Sequence, residues 1–208
     1  MYLPPHFREQ RLEVLHSLMR AHPLAALITH GPGGLDANHI PLLPDPDTQV
    51  LRGHLARSNP QWQNLVAGTE ALAIFQGPSA YVSPNWYPTK QETGRAVPTW
   101  NYAVVHVWGE LTVYSEPARL LSFLEQLTAE HEATEPVPWR PADAPAAYIE
   151  GQLRAIVGIE LRITRLEGKW KMSQNQPPAN QEGVARAFDQ RGRKDLARLI
   201  RPLTEPRP

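Results

Sequence analysis

Leu24–Leu43, LAALITHGPGGLDANHIPLL, holds two apolar runs on either side of a glycine-rich break. Leu24–Thr29 is short and apolar, the signature of a buried strand. HGPGG, His30–Gly34, supplies the backbone freedom and the fixed proline φ of a turn, and Leu35–Leu43 reads as the returning strand. A strand that reverses through so short a turn must pair antiparallel with the one before it. The fold class starts from that hairpin.

Working outward, Arg8–Ala21 reads as a helix, with Leu12, Leu15 and Met19 at helical spacing and His22-Pro23 ending it. PDPD (residues 44–47) reads as a turn into a third strand, Gln49–Leu55. Asn59-Pro60 then has the form of a helix start, with Asn59 as cap and Pro60 at the first helical position, and this helix ends near Gly68. Ala71–Gln76 is a strand, Gly77-Pro78 interrupts it, and Ala80–Ser83 extends the sheet. Asn85–Thr99 reads as a loop. Tyr102–Tyr114 is the longest strand candidate. Pro117–His131 is an amphipathic helix, 134–145 is proline-rich and irregular, and Ala146–Ala155 is a short helix. Ile156–Leu166 alternates apolar with polar residues, and Glu167-Gly168 turns the chain so that Lys169–Met172 pairs back. Gln181–Arg201 reads as one or two helices broken at Gly192.

Six or seven strands therefore follow one another mostly through hairpins, with helices inserted between and after them. A parallel sheet would alternate strand and helix instead. The expected fold is mainly β with peripheral helices, an antiparallel barrel. The 22 prolines favour this arrangement of short elements and rigid turns.

Composition narrows the function classes. No cysteine is present, which removes disulfides, thiolate metal sites, Fe–S clusters and cysteine nucleophiles. Twenty-one basic and 21 acidic residues balance, unlike a surface built throughout to grip nucleic acid. The balance is uneven locally. Residues 116–150 hold seven acids and two arginines, while the chain from Val184 holds seven basic residues and three acids. No apolar run approaches the ~20 residues of a membrane helix, and the N-terminus lacks a signal-peptide pattern, so a cytoplasmic protein is expected. The eight histidines show no ligand spacing, so no metal site is expected. Dinucleotide, phosphate-loop, nucleophile-elbow and zinc-protease motifs are missing, and no catalytic residue can be named.

Four segments are richer in polar and aromatic groups than ordinary strand ends. ANHIPLL places Asn38 and His39 within a strand, where propensity disfavours Asn; a bulge or edge strand would also account for them. GHLARSNPQW, Gly53–Trp62, gathers Arg57, Ser58 and Asn59 where a strand gives way to a helix. Outward backbone N–H groups and a bidentate guanidinium there suit an anion, or else form a capped helix with a surface arginine. The run from Gln76 to Tyr102 sets Tyr81, Trp86, Tyr87, Trp100 and Tyr102 between prolines, to meet a planar ligand, a partner subunit or the chain's own core. GKWKMSQN, Gly168–Asn175, carries Lys169 and Lys171. With Lys90, three of the four lysines lie in these segments. Together they describe a site for a ligand flat at one end and anionic at the other. Flavin mononucleotide (FMN) has that shape, and the dinucleotide glycine fingerprint is absent.

These stretches, MYLPPHF, ANHIPLL, GHLARSNPQW, FQGPSAYVSPNWY, VPTWNYAVVHVWG and GIELRITRLEGKWKMSQN, recur in order from Met1 to about Asn175. The chain resembles the PaiB-type family, often called FMN-binding negative transcriptional regulators. The resemblance implies the FMN-binding split β-barrel shared with pyridoxamine-phosphate oxidases, a homodimer, and FMN as cofactor. It implies a barrel domain over 1–175 and a C-terminal helical extension, 176–208, packed on it. It places Asn38, His39 and Ile40 along the flavin ring and ribityl chain. His54, Arg57, Ser58 and Asn59 would take the phosphate, and Gln76 would lie near the ring. Ser83, Trp86, Tyr87, Lys90, Thr99, Trp100, Asn101, Lys171, Ser173, Gln174 and Asn175 would close the pocket. A regulatory or sensing flavoprotein is the expected function. The alternatives are a flavin-dependent oxidoreductase acting on a small substrate and a haem-binding barrel using His54 or His106. No DNA or protein partner can be read from the residues.

Overall fold

The computed structural model describes residues 1–45, 48–65, 68 and 70–201. In chain order its elements are β1 (Arg8–Glu9), α1 (Leu12–Ala21), β2 (Leu24–Gly31), β3 (Gly34–Pro41), β4 (Leu43–Asp45), β5 (Val50–Ala56), α2 (Pro60–Gln63), β6 (Glu70–Val82), α3 (Thr89–Thr93), β7 (Thr99–Tyr114), α4 (Pro117–Glu132), α5 (Ala146–Arg154), β8 (Ile156–Lys171), α6 (Pro178–Gln190) and α7 (Lys194–Ile200). The strands make one open antiparallel sheet in the order β3-β2-β6-β7-β8-β5-β4, with β1 added on β8. This is the split-barrel class expected from the sequence, with eight strands rather than six or seven.

The opening hairpin forms as read. β2 and β3 pair from Leu24↔Pro41 to Gly31↔Gly34, leaving Pro32-Gly33 as the turn. The returning strand stops at Pro41, and Leu43–Asp45 pairs with β5. Pro46 and Asp47 of the expected PDPD turn lie outside the described residues. The helix expected from Arg8 begins at Leu12. Arg8 and Glu9 pair instead with Lys169 and Gly168, and the Glu9 carboxylate accepts from the backbone N–H of Gln10 and Arg11.

Three further expectations change. α2 is a single turn ending at Gln63. β6 runs unbroken through Gly77-Pro78, and its pairing with β2, over Leu72–Ile74, lies before the proline. β8 is one strand of 16 residues, not a hairpin turned at Glu167-Gly168. Gly168 is there for close approach: a Cβ would fall 2.2 Å from Leu15 Cδ2 and 3.0 Å from the Glu9 carbonyl oxygen. The loop before β7 also holds the short helix α3, closed by Gly94 at φ +66°.

The chain forms two units. One comprises Met1–Leu15, Gln76–Val105 and the chain from Glu167; the other comprises His16–Phe75 and His106–Leu166. The core of the first includes Phe7, Val82, Trp170, Met172, Val184 and Phe188. The core of the second is aliphatic, with Met19, Leu27, Leu51, Leu120, Ile159 and Leu161, closed by Phe75 and Phe123. Burial of such side chains is the main favourable term in each unit, about 2 kcal/mol for each large residue.

Candidate functional site

The expected site residues fall into two groups, one in each unit. In the unit formed by His16–Phe75 and His106–Leu166, alternation along β3 sets Asn38 and Ile40 on one face and His39 on the other. Ile40 is in the core, Asn38 is half-buried and His39 is exposed. Asn38 Nδ2 donates to Gln61 Oε1 at 3.0 Å, and Asn38 Oδ1 accepts from Asn59 Nδ2 at 3.2 Å. Asn59 caps α2 as expected, its Oδ1 accepting from Gln61 N at 2.9 Å.

Gln61 holds this cluster together. It is 1% exposed, and a buried carboxamide must find partners or cost several kcal/mol. Its Nε2 donates to Leu27 O at 3.1 Å and Thr29 Oγ1 at 3.2 Å, with a longer contact to Asp36 O at 3.4 Å. The sequence reading missed it. The only available signal was its position two residues after a capping asparagine.

Arg57 and Ser58 sit exposed on the turn between β5 and α2. The Arg57 guanidinium donates through Nε to Arg154 O at 2.7 Å and through Nη2 to Ile156 O at 2.9 Å. Its carbonyl accepts from Trp62 Nε1 at 3.0 Å and Gln63 Nε2 at 3.3 Å. The turn is thus pinned from both sides, with Nη1 outside these bonds. His54, three residues earlier, faces α4. Its ring centroid lies 6.2 Å from that of Phe123, its Nδ1 is buried without a partner, and burial holds its pKa below the ordinary 6.5.

In the other unit the GKWKMSQN and PTWN segments are bonded together. Lys171 Nζ donates to Thr99 Oγ1 and to Trp100 O. Buried Asn101 donates to Ser173 Oγ at 3.0 Å, and Ser173 takes a left-handed backbone at φ +66°. Gln174 is stitched to its own strand, donating to Trp170 O and accepting from Met172 N. Asn175 is exposed. Desolvation, then the neighbouring Lys169, lowers the Lys171 pKa. Lys169, not among the expected residues, donates to Tyr2 O and lies 5.6 Å and 5.4 Å from the Tyr2 and Tyr102 ring centroids.

The aromatic residues divide. Trp86 packs edge-on against Phe188 with the Arg191 guanidinium 4.6 Å from its ring centroid, and Tyr87 is buried. Trp100 and Tyr81 remain 56% and 47% exposed, paired edge to face at 6.4 Å. Ser83 caps the turn at Asn85, whose side chain also accepts from Lys90. Buried Asn180 of α6, also missed, accepts from Thr89 N and Oγ1 and so holds the start of α3. Gln76 is exposed on β6. Among the described residues no His, Asp and Glu cluster could hold a metal ion.

One group therefore offers a guanidinium, a hydroxyl and carboxamides around a turn, and the other offers ammonium groups beside aromatic faces. The first set suits a polyol and an anion. The second is tied into its own unit, its ammonium groups bonding to Thr99, Trp100 and Tyr2.

Comparison with known proteins identifies the family. The family described as "Putative FMN-binding domain" matches residues 1–165. An uncharacterised protein of Emericella nidulans is 34% identical over 99% of this chain and 98% of its own. The Bacillus subtilis protein named protease synthase and sporulation protein PAI 2 is 31% identical over 84% of this chain and 83% of its own. Among solved structures, the FAD and haem binding protein of Mycobacterium smegmatis aligns with TM-score 0.61 at 19% identity, covering 79% of this chain and 73% of that one. At that identity the likeness is one of fold.

Proposed function

We propose, from the premise that this chain belongs to the PaiB-type family of FMN-binding domains and takes a flavin, that it is a cytoplasmic regulatory or sensing flavoprotein holding FMN at the Arg57 turn. The residues present fit that group. The observation that carries the placement is the Asn38–Gln61–Asn59 network, which fixes terminal strand β3 against the turn bearing Arg57 and Ser58. A terminal strand presents unpaired backbone groups, which match the amide edge of a flavin ring. His39 and the backbone of Ile40 lie along that edge. Arg57 and the Ser58 hydroxyl take the phosphate, and Asn38 and Asn59 act as positioning residues. When bound, FMN supplies a ring that exchanges one or two electrons.

The regulatory part of the reading is supported by the name of the Bacillus relative, a sporulation protein. The barrel domain then covers 1–175, with 176–201 as its helical extension; residues 202–208 of the expected 176–208 extension lie outside the described residues. Exposed Trp100 and Tyr81 supply a surface on which a second copy pairs.

The test begins with an absorption spectrum of the full chain. Bound flavin supports the reading, and a haem spectrum or failure to take up added FMN overturns it. Arg57→Ala should lower FMN affinity about tenfold or more while leaving riboflavin affinity nearly unchanged, since a charge-assisted contact to the phosphate is lost. Equal losses for both ligands would remove the phosphate assignment. Sustained oxidation of reduced nicotinamide with an added substrate would make the protein an oxidoreductase instead.

A further inference from the structure

A cavity of about 390 Å³ opens between the C-terminal half of α4 and the connection that follows it, within the unit formed by His16–Phe75 and His106–Leu166. It contains none of the residues expected to hold the flavin. Its walls are mostly apolar: Ala129 and Ala133 leave space beside the helix, and Pro138, Trp139 and Pro141 face them. Its volume lies in the range of small-molecule sites, about 300–1,000 Å³.

Trp139 is the unusual member. It is 45% exposed and lines the cavity, so its aromatic face is open to a ligand there. Its backbone is nevertheless fixed, the N–H donating to Glu132 Oε2 at 2.9 Å. The residues after it are fixed too: Arg140 N donates to Asp143 Oδ2 at 2.8 Å, and Asp143 N to Arg140 O at 2.9 Å. Pro138 and Pro141 restrict the backbone on either side. The backbone that carries the ring is thus held in place.

The charge of the lining is specific as well. Glu125 and Glu132 stand against Arg140 alone. The stretch 116–150 adds to this, with seven acids and two arginines. An aromatic face beside carboxylates favours a cation that carries an apolar body.

We infer that this cavity binds a small organic amine, a primary ammonium on an aromatic or alkyl body. The body lies against Trp139 and the alanines of α4, and the ammonium lies toward Glu125 and Glu132. The site stands apart from the flavin reading and does not depend on it.

The experiment is a titration of the full-length protein followed by the indole N–H resonance of Trp139, assigned with Trp139→Phe. The probes are 2-phenylethylamine and its charge-reversed counterpart 3-phenylpropionate. The expected result is a saturable shift with the amine and none with the acid. Glu125→Gln, at an exposed carboxylate, should weaken the amine about fivefold while the fold is retained. No shift with the amine, equal shifts with amine and acid, or unchanged amine affinity in Glu125→Gln would each overturn the assignment. Flavin content, read from the visible spectrum, should be the same with and without the amine, which separates this result from the fate of the flavin reading.

Discussion

Arg57 and Gln61 are four positions apart, and they show which residues a sequence reveals. Arg57 drew attention because guanidinium, hydroxyl and amide gather at a strand-to-helix junction, and it does sit on that turn, bonded to Arg154 O and Ile156 O. Gln61 was not legible, because a buried carboxamide is chosen by partners that arrive from β2 and β3, far away along the chain. Gln61→Ala should destabilise the protein by about 2 kcal/mol, through buried groups left without partners and a small void. A shift of the urea midpoint at unchanged slope would record it, and an unshifted midpoint would refute the role given to Gln61. The same contrast holds at Gln174 and Ser173. Their polarity drew attention as ligand-binding chemistry, but their bonds run to Trp170, Met172 and Asn101.

At the level of elements, the β2–β3 hairpin, α4, α5 and the break at Gly192 were readable from apolar period and turn residues, which act locally. β6 and β8 were not. Gly77-Pro78 and Glu167-Gly168 carry turn chemistry, but neighbouring strands decide what a glycine or proline does in a sheet. Gly168 pairs with Glu9 and lies against Leu15, contacts made by a segment more than a hundred residues earlier. Gly168→Ala should therefore cost about 2 kcal/mol by overpacking against Leu15 and the Glu9 carbonyl. Gly33→Ala, at a turn position with open space around it, is the control. A thermal melt showing equal losses at both positions would contradict the close-approach account.

For the whole molecule, two solution properties follow. Burial lowers the pKa of His54, and burial with nearby Arg20 lowers that of His16. The folded state then binds fewer protons than the unfolded state below the ordinary pKa of 6.5. Stability is fully present above that value and falls as pH drops through it, levelling off below the folded pKa. His54→Phe should flatten this part of the stability-against-pH curve, and an unchanged slope would count against the burial argument. The second property concerns association. Trp100→Ala should move the sedimentation profile of the full chain from dimer toward monomer, whereas a wild-type monomer would exclude pairing on that surface. Neither property could be taken from composition. A zero net charge says nothing of which histidine is desolvated or which ring is uncovered.

The joint between β3 and the Arg57 turn is fastened by Asn38, Asn59 and Gln61, three side chains that neither gain nor lose a proton in water. Carboxylates at those places would repel one another in neutral solution and relax in acid. Amides keep one and the same set of links in both. Acid that protonates the histidines therefore leaves the links among these three amides as they were.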